Sequence, residues 1–207
     1  MSSTNKTPNL RLNQWVLTDP LLMEDMNEDN RKIDSTISKI PFSKLMDIKT
    51  TADAQQVDID VSQIDLTQYS MIQIYTDAQV MPKATGQQIY VRINNLGGYC
   101  SNQTNQNLEN SSRAYLAFCN IGTTPSVAGS MRIDIMGLST NDQSQSSYIY
   151  VHSEGAFYSN GFYATETYGV RVLSGNDKVV KSINFLCSSS TMQIIAGTRF
   201  IVYGVRK

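Results

Sequence analysis

A succession of short stretches between residues 57 and 205 combines β-branched and aromatic residues with polar ones. This repeated strand signal constrains the fold more than any other feature of the chain. The stretches fall at 57–61, 71–75, 88–93, 114–119, 131–136, 147–152, 169–173, 182–187 and 198–205. In the first, Val57, Ile59 and Val61 alternate with Asp58 and Asp60, the period-two pattern of a strand with one buried face. Turn-forming runs such as Asn94-Asn95-Leu96-Gly97-Gly98 and Ser174-Gly175-Asn176-Asp177 separate them. The polar runs at 101–112 and 139–147 read as long surface loops. Strands this short and this regularly punctuated predict a mainly β fold, an antiparallel β-sandwich or jelly roll over 57–207.

Ahead of them, residues 20–41 carry a heptad pattern. With Met23, Asn30 and Ile37 at position a, Met26, Ile33 and Ile40 fall at position d and complete one seam. Isoleucine at both positions favours trimers, and a single Asn at a fixes register. Asp19 is placed to cap the helix, Pro20 to open it, and Pro41 to end it. At about 1.5 Å per residue such a helix is roughly 30 Å long, marginal alone. The pattern predicts a short trimeric coiled-coil neck; the same stripe could also pack on the chain's own β domain. Asp29 and Asp34 would face each other across adjacent chains with like charge, which weakens the coiled-coil reading. Residues 1–19 read as an extended attachment arm, in which Trp15, Val16 and Leu17 need a surface to dock on, and 42–56 as a connector.

Charged residues make up 17% of the chain and the net charge is −1, while Ser, Thr, Asn and Gln supply roughly a third of it. A surface this polar and this weakly charged offers no phosphate footprint, so no nucleic-acid partner is expected. No apolar run is long enough to span a bilayer, and residues 1–10 lack the core of a secretion signal, so a soluble product made in the cytoplasm is expected. Cys100, Cys119 and Cys187 lie in or beside strands and read as reduced core residues.

Catalysis finds little support. The single histidine, His152, lies in a strand whose inward residues should be Ile149 and Val151, which puts Tyr148, Tyr150 and His152 on the opposite face. Asp58 and Asp60 share the outer face of one strand, whereas a glycosidase pair comes from separate elements across a cleft. There is no phosphate-binding loop, no dinucleotide fingerprint and no close His/Cys cluster for zinc, so neither cofactor nor metal is expected. One segment has the composition of a recognition loop: residues 157–168 place Phe157, Tyr158, Phe162, Tyr163 and Tyr168 among Ser, Asn, Gly and Thr. Tyr158, Asn160, Phe162, Tyr163 and Tyr168 are the candidate ligand-binding residues, with rings for sugar C–H faces and polar tips for hydroxyls. The alternative is a β-hairpin around Asn160-Gly161 with alternate aromatics in the core.

The runs Thr7-Pro8-Asn9-Leu10, Trp15, Asp19-Pro20 and Asn27-Glu28-Asp29-Asn30-Arg31-Lys32-Ile33-Asp34 resemble the N-terminal region of tail-associated proteins of bacteriophages and prophages of Gram-positive hosts. The stretches Lys181-Ser182-Ile183-Asn184-Phe185, Ala196-Gly197-Thr198-Arg199-Phe200 and Val202-Tyr203-Gly204-Val205 are similar to the closing strands of phage virion β-sandwich domains. The resemblance implies a virion protein of the tail, baseplate or capsid surface: a homotrimeric tail-fibre or receptor-binding appendage. Its arm would attach to other virion proteins and its head to host-surface saccharide. The alternative is a structural subunit, a capsid head fibre, decoration or baseplate protein, that binds only other virion proteins.

Overall fold

The structure, a computed structural model, describes residues 3, 5–81, 88–96, 100–103, 115–120, 128–138, 147–158, 162–173 and 178–207. The chain forms two compact units, Met1–Pro41 and Phe42–Lys207.

In the first unit, two-residue strands β1 (Asn5–Lys6) and β2 (Asn13–Gln14) pair antiparallel ahead of helix α1 (Met23–Ser38). The helix is shorter than residues 20–41. Asp19 does not cap it, because its carboxylate accepts the Val16 N–H at 3.0 Å and closes a turn of its own; Leu22 stands at the N-cap without a side-chain bond. Glu24 and Asp25 lie in the first turn, on the favourable end of the helix dipole. At the other end the N–H groups of Lys39 and Ile40 reach back three residues, to Thr36 and Ile37, and tighten the last turn before Pro41.

Residues 1–19 do not form a simple extended arm. The β1–β2 hairpin is bonded to α1 through Asn13, and the helix residues it buries are Asp25 and Asp29. The covered side of α1 is thus a polar one. The apolar ridge stays open: Met23 is 69% exposed and Ile37 57%, Met26 and Ile40 are exposed too, and Ile33 is half-buried beside an exposed Asn30. Val16 and Leu17 are exposed, whereas Trp15 is half-buried with its indole Nε1 shielded and unpartnered. The α1 helix is not long and apolar enough to cross a membrane.

The second unit is antiparallel β throughout the described pairings. One sheet has the order β3 (Phe42–Lys49), β14 (Arg199–Arg206), β5 (Tyr69–Met81), β9 (Ala128–Met136), β10 (Ser147–Tyr158), β11 (Phe162–Leu173), β7 (Cys100–Gln103), with β13 (Gln193–Ile194) also pairing β5. The other has the order β4 (Gln56–Asp60), β12 (Ser182–Cys187), β6 (Gln88–Ile93), β8 (Ala117–Asn120). Two expectations change. The connector at 42–56 is occupied by strand β3, and the polar run at 101–112 begins inside strand β7; residues 104–114 lie outside the described set.

Both sheets contribute to one core. Ile72, Ile74, Ile133, Ile135, Val151, Phe200 and Val202 come from the larger sheet, and Ile59, Ile89, Val91, Ile93, Ile183 and Phe185 from the smaller. The Phe185 and Phe200 rings meet with centroids 4.7 Å apart. Cys187 is a free, buried thiol, as expected of a small core residue; the side chains of Cys100 and Cys119 lie outside the described residues.

Candidate functional site

Strand alternation does most of the work of building the site. On β10, Ile149 and Val151 are buried, so Tyr148, Tyr150, His152 and Glu154 project from the opposite face, as the sequence predicts for the first three. Pairing extends that face sideways. His152 stands opposite Asp134 on β9 and Tyr168 on β11, and Asp134 in turn stands opposite Gln73 on β5. The next outward row is Tyr75, Arg132, Glu154 and Glu166. Beneath them Ser153 and Thr167, both buried, share a hydroxyl hydrogen bond of 2.7 Å that pins β10 to β11.

The two rows are tied together. Gln73 Nε2 donates to Asp134 Oδ1 at 2.7 Å, and the Tyr75 hydroxyl donates to Gln73 Oε1 at 2.7 Å. The Arg132 guanidinium donates through Nε and Nη2 to the two oxygens of Asp134, at 3.2 and 2.7 Å. Such a fork holds a carboxylate rigidly, and Asp134 is only 4% exposed. His152 lies flat on Tyr168, ring centroids 4.6 Å apart and planes within 10°. Its Nε2 is 3.1 Å from Glu166 Oε1 and 3.8 Å from Glu154 Oε1, while its Nδ1 is 3.8 Å from Asp134 Oδ2. Because an ionised carboxylate only accepts, the nitrogen facing Glu166 carries the proton in this arrangement.

These contacts set the local acidities. The Tyr168 hydroxyl donates to Glu166 Oε1, which with His152 holds the Glu166 carboxyl below its ordinary value. The same bond to a carboxylate pushes the Tyr168 phenol up to about 12. Burial raises the Tyr150 phenol, and the Glu166 charge adds to it.

Beside the cluster the sheet face sinks into a depression of about 620 Å³, lined among others by Tyr75, Ser130, Arg132, Ala156, Ala164 and Glu166. The small residues Ser130, Ala156 and Ala164 share one cross-strand row and leave the floor low, while the longer side chains of the neighbouring row form a wall. An aromatic ring, a guanidinium and two carboxylates around an open depression suit a polyhydroxylated ligand.

Of the candidate ligand residues, Tyr168 belongs to this cluster. Asn160 and the side chains of Tyr158, Phe162 and Tyr163 lie outside the described residues, although β10 and β11 do pair as an antiparallel hairpin, with Tyr158 opposite Phe162. His152 hydrogen-bonds to no Ser or Cys among the described residues, so the nucleophile-and-base arrangement is not formed there. Asp58 and Asp60 serve their own surroundings: Asp58 accepts from Asn184 at 2.7 Å, and Asp60 accepts the Ser62 N–H at 2.8 Å.

The sequence reading passed over Gln73, Tyr75, Arg132, Asp134, Glu154 and Glu166. The signal that reaches Glu154 is the outward parity of Tyr148, Tyr150 and His152 continued along the same strand. No protein-family model, curated protein or solved structure matches this chain, so the site is read from its own geometry.

Proposed function

We propose that this chain is a non-enzymatic bacteriophage virion protein, a trimeric appendage whose β unit is a sandwich that attaches to host-surface saccharide. The observation that carries the reading is the open apolar ridge of α1. Met23, Met26, Ile37 and Ile40 face water, while the adjoining polar stripe with Asp25 and Asp29 is already covered by Asn13 of the same chain. Burying such a ridge against sister ridges returns roughly 25 cal/mol for each Å² of apolar surface removed from water. The pairing of Asp29 with Asn13 also weakens the objection that like charges would flank the seam, since that carboxylate is engaged within its own chain.

Saccharide binding is supported by the depression on the larger sheet. Tyr75 offers a ring for sugar C–H groups, and Arg132, Glu154 and Glu166 offer donors and acceptors for hydroxyls. Three equal sites on one trimer convert weak single-site affinity into avidity. Glu166, whose carboxyl the Tyr168 and His152 hydrogen bonds hold below its ordinary value, is an acceptor for ligand hydroxyls.

Binding of the purified protein to bacterial surface glycans and to whole cells tests the proposal. Clear binding is expected, with Tyr75→Ala weakening it about tenfold or more, the loss of one aromatic contact of about 1.4 kcal/mol. Retained association with virion particles and no binding to any glycan would instead support a structural virion subunit.

A further inference from the structure

Glu154 and Glu166 are direct cross-strand partners, one on β10 and one on β11. Like charges placed opposite each other in this way destabilise a sheet. Arg132, the cross-strand neighbour of Glu154 on β9, donates to Asp134 through both Nε and Nη2. What lies between the two carboxylates is the Nε2 edge of His152.

We propose that His152, Glu154 and Glu166 form a binding site for one divalent transition-metal ion of the zinc type. The three residues each direct a ligand atom to one spot, with those atoms all within 4.8 Å of one another. A zinc ion at about 2.0–2.2 Å from each ligand needs them roughly 3.2–3.6 Å apart in tetrahedral geometry. The observed separations from Nε2, 3.1 Å to Glu166 and 3.8 Å to Glu154, bracket that range, and rotation of the exposed Glu154 side chain brings the two carboxylate oxygens, within 4.8 Å of each other, to the same spacing.

Its surroundings are those of a metal-ligating imidazole. Stacking on Tyr168 fixes the ring plane, and the buried carboxylate of Asp134 stands on the Nδ1 side, where an outer carboxylate orients a ligating histidine. Binding at Nε2 moves the proton of the neutral imidazole to Nδ1, on the Asp134 side, and places at Nε2 a charge that both glutamates can share. One nitrogen and two carboxylate oxygens suit zinc or manganese; calcium, which takes an all-oxygen shell, is disfavoured. Three protein ligands leave a coordination position open, and Glu154 and Glu166 also line the depression, so that position is available to a hydroxyl-bearing ligand or water. This inference does not depend on saccharide binding, since its readout is the metal itself.

His152 is the only histidine in the chain, so in untagged full-length protein its ring resonances report on this site alone. Zinc chloride titrated against imidazole ¹H–¹⁵N correlation spectra should shift the Nε2 resonance, saturating at one ion per chain. Glu154→Gln and Glu166→Gln should each weaken the apparent affinity about tenfold or more, with calcium producing no such shift. Glu154→Gln should also raise the melting temperature of metal-free protein by relieving the repulsion, which shows that the variant is folded. An Nε2 resonance unmoved at millimolar zinc would overturn the proposal, and so would an identical titration in both glutamine variants.

Discussion

Asn13 holds Asp29 with two hydrogen bonds, its backbone N–H to Oδ2 at 2.9 Å and its side-chain Nδ2 to Oδ1 at 3.0 Å. This pair decides which side of α1 is covered. The hairpin covers the polar stripe carrying Asp25 and Asp29, and most of the Met and Ile ridge stays exposed.

Asp29→Ala should therefore release the hairpin. The buried backbone N–H of Asn13 loses its acceptor and its Nδ2 keeps only the Asp25 carbonyl, a loss of about 1–3 kcal/mol. Hydrogen exchange resolved by segment should show faster exchange in residues 5–14 and unchanged protection in the strands of residues 42–207.

The core should respond to loss of the ring contact between its two sheets. Phe185 and Phe200 are both fully buried, and their rings touch. Phe185→Ala should cost about 3–5 kcal/mol through lost burial and a residual cavity, read as a lower urea midpoint for the β unit.

Gly169 marks a close approach between chain segments. A Cβ built on it would fall 1.8 Å from the Leu116 carbonyl oxygen, a backbone atom that cannot rotate away. Gly169→Ala should lower stability by about 1–3 kcal/mol by forcing the two segments apart, measurable in the same urea titration.

Legibility in the sequence varied with how local the cause was. The nine stretches read as strands all contain strand in the structure, because alternation and β-branched content act over a few residues. Strand β3 escaped notice for a physical reason. It lies at the end of the larger sheet and carries Lys44, Asp47 and Lys49, the kind of charge an edge strand uses to discourage further pairing. Asp47 receives a two-pronged contact from Arg199, 152 residues away, which no local pattern announces.

The cluster around His152 was hidden by register. A two-residue Asn-Gly turn would pair residue 159 with 162 and set Glu154 opposite Thr167. Instead Tyr158 pairs with Phe162, three residues lie between the strands, and Glu154 meets Glu166. A shift of one residue moves every side chain on β11 to the other face, so the site could not be assembled from the dipeptide alone.

Cys187 supplies a test that depends on pH. Burial pushes its thiol up to about 11, whereas an unfolded thiol ionises near pH 8.5. A thiol whose folded value is raised contributes stability that is complete below about pH 8.5 and is lost as pH climbs through 11. Alkylation mapped to Cys187 by peptide mass spectrometry should stay slow in the folded protein at pH values where the denatured chain reacts readily.

Whether the ridge of α1 is an interface between copies of the chain is measured directly by sedimentation equilibrium on the full-length protein. A species near three times 23.1 kDa is predicted, with Ile33→Asp and Ile37→Asp each dissociating it while the β unit stays folded. A monomer at micromolar concentration, unchanged by either substitution, would contradict it.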